Sequence, residues 1–437
     1  MDLTFTLGLE VGIAILLTLA VLWAKPEYGL CLYGIALGFP DMAIPLGTAI
    51  NLRVDDALLI FFLLRSLMWS PASLTLGQRR IFNWQLFLAA ACCLSALVGV
   101  ARGNPPAAYE TVKMIGCVLI LIALPRLLQT ERRLRFLVAG LMCGGVGLMF
   151  QISRRLGSSS VNFLGSFQEL KSAAAFTTWN PNTIGQASML LVFAAGVGWI
   201  VFQKSRMNRG IWFFFATAFS LIPALVFSRG AGISIAIGYV CFLCLANRWK
   251  FALIFLLICV SILGYVRSAD SELVDSATRV DFTTGEGFSH RFDRWDMAMG
   301  AIRSNPLLGQ GFGQEWTYLS NMGSEGRAHN AYMTVWIELG LGGLVLLLAA
   351  TYQFISTAAS LYKDSESKMC GALLLALVVT ICMDSFGSST LYWEKLPTIA
   401  LSIGIALIGV CERNRGSALA QNVSTATYQT VLEHLQI

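Results

Sequence analysis

Charge is scarce in this sequence. Asp, Glu, Lys and Arg make up 13% of its 437 residues, against about 25% in soluble domains, which excludes a large water-facing surface. Histidine is scarcer still, with three in the chain. Short alternating apolar segments are also lacking, and that argues against a β-barrel, whose strands read as ~10-residue alternating stretches. The first apolar run has no basic residues ahead of it, so no cleavable signal is expected. The eleven cysteines lie mostly inside apolar runs, where they act as small hydrophobes. The polar stretch 268–328 has none, which excludes a disulfide scaffold there. Cys241 and Cys244 form a CxxC, but no histidine or second cysteine pair accompanies them, so neither a metal nor a redox site is expected.

What is abundant is apolar sequence: 56% of residues are hydrophobic. They come in runs of roughly 17–25, the length that crosses a bilayer as a helix. The expected fold class is all-α, a polytopic integral membrane helical bundle of about 12–13 transmembrane helices with one large outer loop containing short helices. Candidate spans are 5–24, 28–49, 54–71, 83–101, 114–130, 134–152, 184–203, 211–228, 231–247, 249–266, 330–358, 371–389 and 396–411. Pro40, Asp41 and Pro45 interrupt the second, which reads as a broken or re-entrant segment. Lys and Arg gather in alternate connections, such as Arg79–Arg80, Arg132–Arg133 and Arg248–Lys250. By the positive-inside rule that places the N-terminus outside and the C-terminus in the cytoplasm. The chain then divides into a bundle at 1–267, an outer loop at 268–328, C-terminal helices at 329–411 and a cytoplasmic tail at 412–437.

The outer loop holds nine Asp or Glu against five Arg and no Lys. Its arginines are therefore few and placed rather than a generic basic patch. Phe292, Trp295, Met299 and Ile302 recur at helical spacing and predict an amphipathic helix lying on the membrane or the bundle. Arg291 and Arg294, three apart, are neighbours on its surface. They either pair with Asp293, Asp296 or lipid headgroups, or grip a phosphate or pyrophosphate with their guanidinium forks. Pro306 ends the helix, and "GQGFG" follows as a turn able to bring backbone N–H groups to an anion. It lacks the strand and βαβ context of a dinucleotide fingerprint. Arg229 lies in "FSRGAG" at an outer-face junction, where a charge reads as functional by default and small neighbours permit close approach.

His329 stands at the water–membrane boundary, at the first turn of the next apolar run. It either caps that helix or serves as a general base with a pKa near working pH. Tyr332, Trp336, Gly340 and Gly343 fall on roughly one face, with the glycines expected to permit close helix packing. Glu338, nine residues on, points away from His329 and pairs within the bundle. Asn182 in "WNPNTIG" is read as a helix N-cap ahead of ligand contact. Asn330, Asp384, Glu394 and Lys395 complete the candidates.

Together these features resemble the O-antigen ligase and polysaccharide-polymerase group of bacterial inner membranes. That family's signature, H-[N/S/Q]-x9-G-x-x-G after a large periplasmic loop, is matched by His329, Asn330, nine residues, Gly340 and Gly343. "SRG", "NPLLGQGFG" and "NPN" at 180–182 resemble further recurrent features, and Arg303 with Leu307 fits an R-x3-L element. The resemblance covers roughly 175–345; the family has twelve spans with both termini cytoplasmic, whereas thirteen are counted here. It implies inverting, metal-independent glycosyl transfer from an undecaprenyl-diphosphate-linked glycan to an acceptor hydroxyl at the periplasmic face. With no DxD-type metal site, Arg229, Arg291 and Arg294 would hold the diphosphate. His329 would act on the acceptor, supported by Asn330, Asn182 and Asp384. Partners would be the lipid-linked donor, a lipid A core or growing polysaccharide acceptor, and membrane lipids; no cofactor, metal or nucleic acid is expected. Polysaccharide polymerisation and protein O-glycosylation remain open beside ligation. A lipid-linked glycan transporter is the rival of another class, which would instead show paired mid-span charges and broken helices.

Overall fold

The structure, a computed structural model, describes residues 25–39, 43–45, 51–68, 74–103, 108–158, 181–202, 206–226, 228–269, 289–324, 327–388 and 393–435. The candidate span 5–24 and the first part of the outer loop lie outside them. The described chain is helical apart from one small ladder, as an all-α polytopic membrane protein requires. Six of its helices are long and apolar enough to cross a membrane: Leu76–Ala101, Glu131–Arg155, Pro181–Val201, Ala331–Lys363, Lys368–Ser385 and Lys395–Gly416. Shorter apolar helices stand beside these in the sequence, at Arg209–Leu225, Gly230–Leu245 and Trp249–Ser261.

The chain forms two compact units. The first comprises Met1–Pro71 and Arg126–Gly232. It contains α1 (Pro26–Leu37), β1 (Ala43–Pro45), β2 (Asn51–Arg53) and α2 (Val54–Met68). The interrupted segment 28–49 is therefore not one helix. α1 stops at Gly38, and β1 pairs antiparallel with β2, Ala43 opposite Arg53 and Pro45 opposite Asn51. α3 (Leu76–Ala101) and α4 (Ala108–Leu127) belong to the other unit, before the chain returns with α5 (Glu131–Ser158). α1 packs on α5 through two facing small-residue stripes, Gly34/Gly38 and Gly140/Gly144. A Cβ on Gly38 or Gly140 would overlap the opposite backbone, which is how GxxxG sequences let membrane helices touch. α6 (Pro181–Val201), α7 (Arg206–Ser220) and the short α8 (Ile222–Leu225) complete this unit.

The second unit comprises Ala72–Pro125 and Ile233–Ile437. After α9 (Arg229–Leu245), which begins in the first unit, come α10 (Trp249–Ala269), the loop helices α11 (Ser289–Ser304) and α12 (Glu315–Asn321), then α13 (Ala331–Lys363), α14 (Lys368–Ser385) and α15 (Lys395–Leu435). α13 packs against α14 and α3, and α15 against α3 and α14. The predicted amphipathic helix is α11, and it sits on the bundle. Ala298, Ala301 and Ile302 bury against Leu319 of α12, Ala328 and Ile337 of α13, with Trp295 and Met299 at the margin. Phe292, expected on that face, is 54% exposed, with its ring edge-on to that of Trp295.

Candidate active site

His329 immediately precedes α13 but does not cap it. The cap is Asn330, in extended backbone, whose side-chain oxygen accepts the N–H groups of Tyr332 at 3.0 Å and Met333 at 3.1 Å. Asn330 is 5% exposed. The capping role weighed for His329 thus belongs to its neighbour. His329 itself is half-buried and has φ 51°, a left-handed conformation that costs a non-glycine residue about 1–2 kcal/mol. Such a conformation persists only where the surroundings hold it.

Three anchors do so. On the near side, the Ala328 N–H donates to Glu315 Oε1 at 2.9 Å, and the Ala328 carbonyl accepts Trp295 Nε1 of α11 at 2.9 Å. On the far side, the Ala331 N–H donates to the Ser388 carbonyl at 3.0 Å. Ser388 follows α14, and its hydroxyl donates to Asp384 Oδ2 at 2.6 Å. Asp384 is 5% exposed and so reaches the histidine segment through Ser388. Tyr332 ties the same turn down, donating its hydroxyl to the Cys382 carbonyl at 3.3 Å and setting its ring 5.0 Å from that of Phe386.

The glycine motifs serve one another. Gly340 has φ 69° and ψ −168° and breaks α13, a conformation essentially reserved for glycine. The turn after α11 docks into this break. Gln310 N–H donates to the Ile337 carbonyl at 2.6 Å, Gly311 N–H to the Glu338 carbonyl at 3.1 Å, and Leu341 N–H to the Pro306 carbonyl at 2.9 Å. Trp336 Nε1 adds a bond to Pro306 at 3.0 Å. Two corrections follow. The Gln310 and Gly311 N–H groups in "GQGFG" are directed at the interrupted helix rather than at an anion. Gly340 supplies the break rather than a helix-packing stripe, while Gly343 leaves room for the Leu339 side chain folded over it.

Sequence reasoning missed the acidic shell beneath His329. Glu315 is 1% exposed; besides Ala328 its Oε1 meets Thr334 Oγ1 at 3.1 Å. Burial pushes its carboxyl above the usual range, against the pull of the Ala328 hydrogen bond, the Arg327 charge and Thr334. Glu338 takes the Glu315 N–H at 3.3 Å, a contact within the bundle. Arg327 pairs with Glu110 of α4 at 2.5 Å. Lys113 stands 3.7 Å from Glu110 and 2.8 Å from Glu394. Burial opposes the Arg327 charge, yet Glu110, Glu315 and Glu338 together hold it above its ordinary value. These partners lie up to 281 residues apart in sequence, and no periodicity marks them.

Arg291 and Arg294 lie one turn apart on α11, the helix joined to Ala328 through Trp295. Arg294 is half-buried, and the Arg291 side chain lies outside the described residues. Arg229 opens α9 with its side chain likewise outside them, next to buried Ser228. A Cβ on Gly185 of α6 would come 2.7 Å from Ser228 Oγ, so small residues let these two helix starts meet. α6 begins at Pro181, the favoured first helical position for proline, so Asn182 is the second helical residue, exposed, rather than the cap. Arg303 and Leu307 are both exposed.

No curated protein matches the sequence. Residues 214–348, which run from α7 past the break in α13 and include the arginine-bearing loop, Glu315 and the His329 clamp, match the family model described as O-antigen ligase, and over that stretch the chain is similar to O-antigen ligases.

Proposed function

We propose that this protein transfers a glycan from undecaprenyl diphosphate to an acceptor hydroxyl at the periplasmic face of the bacterial inner membrane, with inversion and without a metal ion. The observation that carries the reading is His329, a half-buried imidazole whose backbone is pinned on both sides at the mouth of α13. Rigid placement of a catalytic group within hydrogen-bond reach of the acceptor is what general-base catalysis demands.

In this reaction the acceptor oxygen attacks the anomeric carbon opposite the leaving diphosphate. The new C–O bond forms as the bond to the diphosphate oxygen breaks, and the hydroxyl proton passes to His329. The departing diphosphate gains negative charge, for which the proposal assigns Arg229, Arg291 and Arg294, guanidinium forks suited to phosphate oxygens. Asn330 fixes the helix end, and Asp384 works through Ser388. The greasy spans would receive the polyprenyl tail.

The test is glycan transfer in membranes, comparing wild type with His329→Ala and Arg229→Ala at matched expression. It follows loss of undecaprenyl-linked glycan and gain of glycan on any acceptor. Loss of transfer in inserted, folded variants supports the reading. The acceptor that gains glycan (lipid A core, polysaccharide or protein) names the subclass. Normal transfer by both variants overturns the site, and movement of lipid-linked glycan by wild type without cleavage of the glycosyl–phosphate bond overturns the enzyme.

A further inference from the structure

The hydrogen bonds around Glu315 do not close with an ionised carboxylate. Oε1 takes the Ala328 N–H and stands 3.1 Å from Thr334 Oγ1, while the same Oγ1 stands 2.9 Å from the Asn330 carbonyl oxygen. A threonine hydroxyl carries one proton, so it donates to one of these two oxygens and leaves the other contact without a hydrogen. Glu315 Oε2 is buried with no hydrogen-bond partner among the described residues. A charged oxygen in that position is among the costliest groups to bury unpaired.

A proton on Oε1 resolves both. Oε1–H donates to Thr334 Oγ1, Thr334 O–H donates to the Asn330 carbonyl, and the Ala328 N–H meets the remaining lone pair of Oε1. Oε2 is then a neutral carbonyl oxygen, whose unmet bond costs far less than that of a carboxylate. The charged groups facing Glu315 are Arg327 beside Ala328, Glu338 on α13 and Glu110 on α4. Arg327 favours ionisation, but it is bonded to Glu110, whose carboxylate opposes it. The α11 face packed there, Ala298, Ala301 and Ile302, carries no charge.

We propose that Glu315 is a positioning residue for His329, standing as a neutral carboxylic acid that passes a hydrogen bond through Thr334 to the Asn330 carbonyl. It grips the residue before His329 with one atom and the residue after it through a single hydroxyl. Its action on transfer rests on the reading of His329 as the group that serves the acceptor.

Two measurements on the detergent-solubilised full chain test this. The first is the infrared difference spectrum of wild type against Glu315→Gln at neutral pH. A protonated carboxyl C=O band that the variant lacks is expected; a difference confined to carboxylate bands overturns the neutral acid. The second is transfer kinetics with undecaprenyl-diphosphate-linked glycan extracted from the host membranes. Glu315→Ala is expected to lose about 10- to 100-fold in kcat, the scale of an ångström-sized misplacement, with donor KM held within about twofold. Glu315→Gln, whose side-chain oxygen still accepts from Ala328 but has no proton for Thr334, should fall between Glu315→Ala and wild type. Wild-type kcat in a folded Glu315→Ala overturns the positioning role. If Glu315→Ala fails to fold, Thr334→Val carries the kinetic test, since it removes the relay and keeps the shape; a several-fold fall in kcat is expected, and wild-type kcat overturns the relay. His329→Ala runs alongside. Normal transfer there sinks the His329 reading, whereas the infrared result judges Glu315 on its own.

Discussion

Replacing Gly340 by alanine separates the two roles a signature glycine can play. At φ 69° and ψ −168° an alanine carries backbone strain of about 1–3 kcal/mol. Its Cβ would also overlap the Leu307 carbonyl and crowd Leu308 N at 2.7 Å, overpacking worth about another 1–3 kcal/mol. The sum, about 2–6 kcal/mol, corresponds to a melting point lowered by about 4–12 °C at roughly 2 °C per kcal/mol for a domain of this size. Gly342 two residues on is the control: it lies in helical, exposed backbone with nothing within 4 Å of an added Cβ. Gly342→Ala should leave the melting point unchanged or raise it, since alanine is better than glycine in a helix by about 0.5–1 kcal/mol. Thermal unfolding of both variants in one detergent, followed by size exclusion, reads the contrast. If Gly340→Ala melts with wild type, or if both variants fall together, the docking of the 306–311 turn into a break in α13 is wrong.

Asn330→Ala removes the acceptor for two helix-end N–H groups and should cost about 0.5–2 kcal/mol, visible as a lower melting point; an unchanged one contradicts the cap. Glu110→Gln weakens a charge-assisted bond to Arg327 and should cost about 1–3 kcal/mol, with transfer reduced less than by His329→Ala; a melting curve superimposable on wild type would refute it. Burial raises the folded-state pKa of Glu315, so its proton binds more tightly folded than unfolded. That contribution is complete below about pH 4.3, the ordinary glutamate value, and is lost as pH rises through the folded value. The melting point of wild type relative to Glu315→Gln should therefore fall as pH rises, and a relative gain would contradict the sign. Asp384→Asn keeps an oxygen for the Ser388 hydroxyl and should transfer well above Asp384→Ala; equal losses would mean that the charge itself matters.

The fold class was legible because hydropathy is a local property: a run of apolar residues long enough to span a bilayer is visible without knowing its neighbours. So was the interruption at Pro40 and Pro45, since proline removes a donor and fixes φ, and a helix stopping at Leu37 agrees with it. The register of α11 was legible through Trp295 and Ile302, though not the exposure of Phe292, because burial depends on neighbours that a helical period does not reveal. Nothing local showed that Gly340 breaks a helix. Leu339 and Leu341 on either side are good helix formers, and the carbonyl it accommodates comes from Leu307, 33 residues earlier. Capping was one of two roles open for His329, and the cap falls to Asn330 instead, since either side chain at a helix start can accept a backbone N–H. Glu315 escaped notice for a simpler reason. It is one of nine acidic residues in a polar loop, and its burial comes from Ala328, Thr334 and Glu338 folding over it.

The fate of the glycine turn bears on how a diphosphate would be held. Backbone N–H groups in a glycine-rich turn are a common way to bind phosphate, and "GQGFG" had that composition. Yet the Gln310 and Gly311 N–H groups complete the carbonyls of Ile337 and Glu338; withdrawing them would strip the Ile337 carbonyl of that bond at the break and leave the Glu338 carbonyl to the Ser95 hydroxyl alone, a loss that is costly away from water. A ligand phosphate would have to compensate that loss before gaining anything. The proposed chemistry therefore leans on guanidinium groups for the leaving charge, and the turn contributes by holding α11 against α13. Because α11 also bonds the Ala328 carbonyl through Trp295, the helix that carries Arg291 and Arg294 is tied to the residue beside His329. A change at Gly340 should thus reach transfer through both the arginine-bearing helix and the histidine, whereas a change at Asn330 should reach it through the histidine alone.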